Sequence, residues 1–280
     1  MRARVIKALY YARRSHNPDN EEHHLDLELT GKIAIVGGSS KGIGLAAAHS
    51  IARDGGNVTL VARHSDELQA ASAKLQAEVG ASAVLAVVGD LSDPTDIQRV
   101  FDETIARWGR VDIVINNLGG PPAGELMDFT DDQWQSAFDL NFSSAMRMNR
   151  LVLPGMIERQ HGRIIAVLSK TIKEPEDRLG LSTVARSALS SYSKLLAQEV
   201  AGNGITVNNV LPGSVATDRL HSVIGVQAKA NSQSIPEQEA FRLASVPAGR
   251  FGDPAELGDL IAFLASGRAG FITAQNIAAD

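Results

Sequence analysis

The stretch Gly37-Gly38-Ser39-Ser40-Lys41-Gly42-Ile43-Gly44 follows the short apolar run 33–36 and leads directly into an alanine-rich segment at 45–52. The run predicts a buried β-strand, and the segment predicts a helix. Glycines at these positions permit a sharp turn, a close approach of backbone to an anion, and tight packing of the helix on the sheet. Because free N–H groups and the positive end of the helix dipole face such a turn, the stretch predicts a phosphate-binding site.

The spacing of the glycines is Gly-x-x-x-Gly-x-Gly, not the Gly-x-Gly-x-x-Gly of the commoner dinucleotide fingerprint. Gly-Gly and Ser-Gly pairs also occur in ordinary tight turns. The turn alone is therefore compatible with a phosphate-binding site and with an ordinary tight turn. Other features of the chain are needed to distinguish the two.

The composition is that of a single water-soluble domain. The chain has 280 residues, of which 44% are hydrophobic and 21% charged, enough to bury a full core. A net charge of −5 argues against a nucleic-acid-binding surface, and the absence of cysteine excludes disulfides, Cys-ligated zinc and thiol chemistry. No apolar run approaches the roughly 20 residues that span a bilayer. We predict no metal site, no membrane contact and a cytoplasmic location.

The first thirty residues differ from the rest. Five basic residues precede the first acidic residue, Asp19, and they are Arg2, Arg4, Lys7, Arg13 and Arg14. We predict that residues 1–30 form an extension that is flexible or docks at an interface, and that residues 31–280 form the domain. A basic segment without acids is also compatible with an organellar-targeting arm at residues 1–14.

Strand and helix signals alternate from Gly31 onward. Apolar runs lie at 33–36, 57–62, 83–88, 111–115, 163–168, 205–210 and 271–277, and segments with helical periodicity separate them. Thr130 and Gln133 form the capping-box pattern of a helix start. Since each parallel strand needs a crossover, the alternation predicts a single α/β domain with a doubly wound, Rossmann-type parallel sheet of seven strands.

Polar residues and turn glycines follow the predicted strands. Ligand sites of such sheets collect at the carboxyl ends of the strands, so these positions predict one site. They are Arg63 after the second strand, Asp90 and Leu91 after the third, Asn116 to Gly120 after the fourth, Ser169 after the fifth, and Pro212, Gly213 and Thr217 after the sixth.

With these motifs, residues 30–280 resemble the short-chain dehydrogenase/reductase family. The glycine turn matches the family's glycine motif, Asn116 to Gly119 matches its Asn-Asn-Ala-Gly segment with Leu118 in place of Ala, and Pro212-Gly213 matches its Pro-Gly motif. The stretches 204–208 and 250–254 are similar to the bacterial 3-oxoacyl-carrier-protein reductase branch.

The resemblance implies a set of cofactor-binding residues. Asp90 and Leu91 would meet the adenine, Asn117 and Gly119 would line the adenosine side, and Thr217 would hold the nicotinamide carboxamide. For Asp90 a helix cap before Pro94 is the alternative. The other cofactor-binding positions are Gly38, Ser40, Lys41, Gly42, Ile43, Gly44, Pro212 and Gly213.

Charge at the end of the second strand favours NADP(H). A carboxylate there would bind both ribose hydroxyls and repel a 2′-phosphate, whereas a nearby Arg attracts that phosphate. This chain has Ala62 followed by Arg63, with Lys41 in the glycine turn. The alternative is that both cations are ordinary solvated surface residues.

The catalytic positions depart from the family pattern, in which a Tyr delivers a proton with the help of a Lys four residues later, a Ser and an Asn. Alignment on the flanking motifs places Ser169 and Asn141 at the Ser and Asn positions, but Ser182 at the Tyr position and Arg186 at the Lys position. Tyr192 lies ten residues beyond the expected place, and we interpret it as a packing residue.

The substitutions change the available chemistry. A serine hydroxyl is a far weaker acid than a phenol, and an arginine stays charged. Arg186 can still bind the nicotinamide ribose or polarise a carbonyl oxygen. Lys173 is the nearest candidate for a replacement proton donor, and an exposed loop lysine is the alternative for it.

Three functions remain open at this point. The first is NADP(H)-dependent reduction of a carbonyl compound, with the proton supplied through Lys173, a water or the ribose 2′-hydroxyl. The second is isomerisation, elimination or double-bond reduction on the same fold, and the third is a cofactor-binding regulatory or assembly protein without catalysis.

The substrate flap is predicted at about 214–250. It mixes apolar residues with Arg219, His221, Lys229 and Arg242, which suits an apolar, small-molecule substrate with an anionic or polar handle. The resemblance also implies a homotetramer or homodimer assembled through helices near 131–159 and 182–202.

Overall fold

In a computed structural model that describes residues 25–280, one or more helices follow each of the first six of seven strands. The strands are β1 Ile33–Gly37, β2 Asn57–Ala62, β3 Val84–Val88, β4 Ile113–Asn116, β5 Gly162–Val167, β6 Ile205–Pro212 and β7 Asn276–Ala279. The helices are α1 Gly42–Arg53, α2 Ser65–Val79, α3 Pro94–Trp108, α4 Asp131–Phe138, α5 Ser144–Glu158, α6 Gly180–Val200, α7 Asp218–Ala230, α8 Ile235–Ala244 and α9 Pro254–Ala265.

The strands form one parallel sheet in the order β3-β2-β1-β4-β5-β6-β7. The predicted seven-stranded doubly wound sheet is therefore confirmed. The strand order reverses between β1 and β4, and this switch point opens a crevice at the carboxyl edge of the sheet.

Side chains of successive residues in the central strands lie on opposite faces of the sheet. Ile113 and Ile115 of β4 pack in one core with Ile51 of α1 and Ile261 of α9. Val114, between them, packs in the second core with α3, α5 and α6. This period of two is the reason why both faces carry helices.

The ends of two strands differ from the sequence prediction. β4 begins at Ile113 instead of 111, because the buried Asp112 carboxylate accepts the backbone N–H of Ile33 at 3.0 Å and caps the strand edge. β7 lies at 276–279 instead of 271–277, since Phe271 is fully exposed and Ala274 has a φ of 60° that interrupts extended backbone.

The helix that the capping-box pattern predicted begins as expected. The Thr130 side chain accepts from the backbone of Gln133, and the Gln133 side chain accepts from the backbone of Thr130. A π-helical segment, Asp139–Ser143, joins α4 to α5. Such insertions are frequent beside functional sites.

Packing of the domain begins slightly before the predicted boundary at residue 31. Leu29 is buried in the first core, and Arg268 donates from Nε to the backbone oxygen of Asp26 at 2.9 Å. The predicted targeting arm at 1–14, and the extension as far as residue 24, lie outside the described residues. Within residues 25–280, no helix combines the length and the apolar character that crossing a membrane requires.

Candidate active site

A cavity of about 640 Å³ opens at the carboxyl edge of the sheet, where the strand order reverses. The structure brings most of the sequence-predicted site residues together around it. The lining includes Gly38, Ser40, Lys41, Gly42, Ile43, Arg63, Asp90, Leu91, Asn117, Gly119, Ser169, Ser182, Arg186, Pro212, Gly213 and Thr217. Gly44 packs just behind this lining, whereas Asn141 and Lys173 are not part of it.

The glycine turn has the backbone that its sequence predicts. Gly38 and Gly42 adopt φ values of +55° and +58°, which L side chains rarely tolerate. A Cβ on Gly44 would press on the Gly38 carbonyl oxygen and lie 2.7 Å from Nδ2 of Asn117. That amide group donates to the carbonyl oxygens of Gly37 and Gly38 at 3.0 and 3.3 Å, so the turn is clamped from β4.

The start of α1 suits an anion. The first turn of α1 contains no acidic residue, and no side chain caps it. Its N–H groups and dipole therefore face the cavity without a protein acceptor at the N-cap. The phosphates of a dinucleotide fit this arrangement of glycines and free N–H groups.

Two cations stand at the far end of the turn, where an adenosine ribose would lie. Arg63 is exposed and has Nη1 4.0 Å from Oδ2 of Asp90. Lys41 lies between Glu67, at 3.2 Å, and Asp218, at 3.0 Å, and these hydrogen bonds raise its pKa. Both cations are thus held near the cavity by carboxylates that a bound phosphate could replace.

Asp90 does not cap the following helix, which was the alternative for it. Asp93 is the N-cap of α3 and accepts from the N–H of Thr95 at 2.7 Å. Asp90 instead accepts from the backbone and hydroxyl of Ser92 and stays in the lining of the cavity.

The predicted flap contains α7 and α8. Thr217 is the N-cap of α7, and a Cβ on Gly42 would lie 3.4 Å from Cγ2 of Thr217, so the flap starts directly opposite the glycine turn. Arg242 of α8 ties the flap down, because it donates to Ser214 at 3.1 Å and to Glu176 at 3.0 Å.

The Ser182 and Arg186 side chains form one hydrogen-bonded unit at the other end of the cavity. Arg186 donates from Nε to Oγ of Ser182 at 3.1 Å. Its Nη1 donates to the carbonyl oxygens of Val167 and Leu168 at 2.8 and 3.0 Å, and its Nη2 donates to that of Leu118 at 3.3 Å. The guanidinium is therefore locked between the ends of β4 and β5.

The charge of Arg186 is poorly solvated. Burial, together with the nearby positive charge of Arg219, lowers the pKa of Arg186 to about 10. The group still carries its charge at neutral pH, so the cavity holds a fixed cation at its inner end.

Ser169 and Asn141 have different environments. Ser169 lies in the cavity lining, where its Oγ accepts from Oγ1 of Thr171 at 3.0 Å. Asn141 is buried in the π-helical segment and donates to the backbone oxygen of Ala137 at 3.3 Å. The Asn141 side chain is thus turned into its own helix and does not reach the cavity wall.

The structure does not bring Lys173 to the cavity. It follows a short 3₁₀ turn, Lys170–Ile172, and its side chain is exposed to solvent. Tyr192 is also remote from the lining. It packs edge-to-face on Phe142 with ring centroids 5.8 Å apart, and burial raises the pKa of its phenol, as expected of a packing residue.

Comparison with known proteins gives close matches over nearly the whole chain. The family model described as enoyl-(acyl carrier protein) reductase matches residues 38–280. The 3-oxoacyl-[acyl-carrier-protein] reductase FabG of Escherichia coli is 36% identical over 251 residues, covering 90% of this chain and 96% of that protein. The chain belongs to the short-chain dehydrogenase/reductase family.

Two solved structures of similar fold are described as reductases that use NADPH. The L-sorbose reductase of Gluconobacter frateurii, complexed with NADPH and L-sorbose, is 32% identical with a TM-score of 0.85 and covers 91% of this chain and 97% of its own. YwfH, an NADPH dependent reductase involved in bacilysin biosynthesis, is 28% identical with a TM-score of 0.84 and covers 90% and 97%.

Two further arginines of this short-chain dehydrogenase/reductase line the cavity and were not predicted as site residues. Arg219, in the first turn of α7, and Arg242, in α8, both belong to the flap. The signal in the sequence is weak, because basic residues spaced through the flap also occur in many surface helices. Only the folded flap shows that these two point to the cavity.

Proposed function

We propose that the protein is an NADP(H)-dependent oxidoreductase that reduces a carbonyl group, of an oxoacyl-like compound or another ketone or aldehyde, without the family's tyrosine. One observation carries this proposal. The glycine turn and the Ser182–Arg186 unit line opposite ends of one cavity, so a dinucleotide on the turn would extend toward a fixed cation.

Two kinds of observation support NADP(H) as the cofactor, one from similar proteins and one from the residues of this chain. Relatives of similar fold are described as NADPH-dependent or complexed with NADPH. In this chain Ala62 leaves no carboxylate at the end of β2, and Arg63 and Lys41 both line the cavity there. A 2′-phosphate would pair with the two cations and release Lys41 from Glu67 and Asp218.

Arg186 is the proposed electrophilic group. A guanidinium has five N–H donors, and the described residues accept four hydrogen bonds from Arg186, which leaves one donor on Nη2. That N–H would hydrogen-bond the carbonyl oxygen and stabilise the negative charge that develops on it. Ser169 and Ser182 would position the same oxygen through their hydroxyl groups.

When bound, NADPH supplies the hydride that turns the carbonyl carbon into a C–H group. The oxygen would then take a proton from water, giving an alcohol. Arg186 holds the oxygen during this step but does not have to lose its own proton. Lys173 has no part in the proposed route because its side chain lies outside the cavity.

Oxidation of NADPH by the purified protein tests the function. We expect turnover with at least one of four substrate classes, namely acetoacetyl thioesters, oxo acids such as acetoacetate, quinones and small aldehydes. Arg186→Lys should lower kcat by about 10²-fold or more, because an ammonium cannot reproduce the fork of hydrogen bonds that orients the guanidinium. Binding of NADPH without consumption by any of these substrates would contradict reduction and favour a non-catalytic role.

We also propose that the protein forms a homodimer or homotetramer through α5 and α6. Exposed apolar side chains lie on these helices, namely Ile157 on α5 and Val184 and Leu195 on α6. Val184 and Leu195 are three helical turns apart and share one face of α6. A second copy of the chain would cover this face.

A further inference from the structure

Among residues 25–280, the cations at the adenosine end of the cavity are paired with carboxylates, whereas two cations at the other end are not. Each carboxylate at the adenosine end faces a cation: Glu67 and Asp218 hold Lys41, and Asp90 lies beside Arg63. In the flap, Arg242 is paired with Glu176 at 3.0 Å.

Arg186 and Arg219 differ from these cations. Within residues 25–280, neither guanidinium forms an ion pair with a carboxylate, although both line the cavity. The Arg219 charge is close enough to lower the pKa of Arg186. Two like charges in a poorly solvated place cost free energy unless an anion lies near them.

Within the described part of the chain, most donors of Arg219 have no partner. Among the described residues it donates only from Nη2 to the backbone oxygen of Pro121, at 3.0 Å. A guanidinium has five N–H groups in a planar fork that matches a carboxylate. The fork of Arg219 is thus anchored at one nitrogen and leaves donors for a ligand in the cavity.

Gly120 holds the space for this guanidinium. A Cβ at position 120 would lie 2.6 Å from Nη2 of Arg219, so a larger residue there would displace the end of the arginine from its present place at the Pro121 carbonyl. Arg219 also lies in the first turn of α7, where the helix dipole is unfavourable to a cation and favourable to an anion. Both the cradle and the dipole therefore suit an anion at Arg219.

We infer that Arg219 binds a carboxylate of the substrate, and that the protein acts on carbonyl compounds that also carry a free carboxylate, such as oxo acids. This inference rests on the proposed function for the reduction itself. Arg186 would hold the carbonyl oxygen with its one remaining N–H, and Arg219 would hold the carboxylate with its fork. Apolar neighbours in the cavity, Leu179, Leu220 and Val223, would contact the carbon chain.

Calorimetric binding of malonate to the NADPH-saturated protein tests the anion site without turnover. We expect malonate to bind, and Arg219→Gln to weaken its binding about tenfold or more, which is the usual effect of losing hydrogen bonds to a charged group. Arg107→Gln is the matched control, because Arg107 is exposed, donates to a backbone oxygen and lies outside the cavity. The control should bind malonate like the unmodified protein.

Two outcomes of this experiment would overturn the inference. One is malonate binding that is absent, or that is equal in Arg219→Gln and the unmodified protein. The other is an equal loss of NADPH affinity in Arg219→Gln, which would assign the guanidinium to the phosphates of the cofactor.

A turnover comparison then connects the site to the substrate class. With acetoacetate, Arg219→Gln should raise KM about tenfold or more, whereas KM for the neutral ester methyl acetoacetate should not change. Equal effects on acid and ester would contradict a carboxylate-binding role. Because malonate binding needs no turnover, failure of the reduction and failure of the anion site can be told apart.

Discussion

Two cations at the adenosine end of the cavity, Arg63 after β2 and Lys41 in the glycine turn, set its expected affinity for a phosphate. Arg63 has an exposed side chain beside Asp90, and Lys41 stands between two carboxylates. A dianionic 2′-phosphate would be a stronger partner for these cations than the carboxylates, which are exposed to solvent.

Arg63→Asp should reverse the preference for the cofactor. The new carboxylate would repel the 2′-phosphate and could bind the ribose hydroxyls of NADH, so the Kd for NADPH should rise about tenfold or more and the Kd for NADH should fall. Fluorescence titration with both nucleotides measures the ratio, and Arg107→Asp controls for net charge. An unchanged ratio would mean that Arg63 is an ordinary surface cation.

Helix α6 has one face toward the cavity and the opposite face toward solvent. Its inner face carries Ser182 and Arg186 into the cavity, and its outer face exposes Val184 and Leu195 to solvent. Coverage of the outer face by a second chain would therefore also stiffen the helix that holds the proposed electrophile.

Leu195→Glu should weaken the assembly, because a charge on this face would be desolvated in the interface. Light scattering coupled to size-exclusion chromatography measures the expected change toward monomers. Phe241→Glu, which alters an equally exposed residue in the flap, should leave the mass unchanged. A monomeric unmodified protein, or an assembly unaffected by Leu195→Glu, would contradict the proposed interface.

At the scale of the whole molecule, stability depends on the charge state of a histidine before β5. The ring of His161 is half-buried, its Nε2 has no hydrogen-bond partner among the described residues, and burial together with the nearby Arg163 charge lowers its pKa to about 4. In the unfolded chain the ordinary value is near 6.5, so the unfolded state binds more protons between these values. The contribution of His161 to stability is therefore constant above about pH 6.5 and becomes unfavourable as the pH falls toward 4.

His161→Gln should remove this part of the acid sensitivity. We expect the unmodified protein to lose about 1–2 kcal/mol more unfolding free energy than the variant between pH 7 and pH 4.5. Urea unfolding at the two pH values measures the difference, with the exposed His221→Gln as control. Equal losses in the unmodified protein and His161→Gln would show that other groups cause its acid sensitivity.

The fold and the phosphate-binding turn could both be predicted from local features of the chain. The glycines at 38, 42 and 44 and the alternating apolar runs are local signals, because backbone conformation and the period of a strand or helix depend on residues close in the chain. The order of sheet strands then follows from the few arrangements that right-handed crossovers allow.

The reactive end of the cavity could not be predicted in this way, because it depends on contacts between residues far apart in the chain. The Arg186 guanidinium binds Leu118, which lies 68 positions away, and Arg219 binds Pro121, which lies 98 positions away. No local pattern encodes such pairs, since each depends on where separate crossovers place their side chains. For the same reason Lys173 is exposed, Tyr192 packs against Phe142, and Arg186 and Arg219 line one cavity.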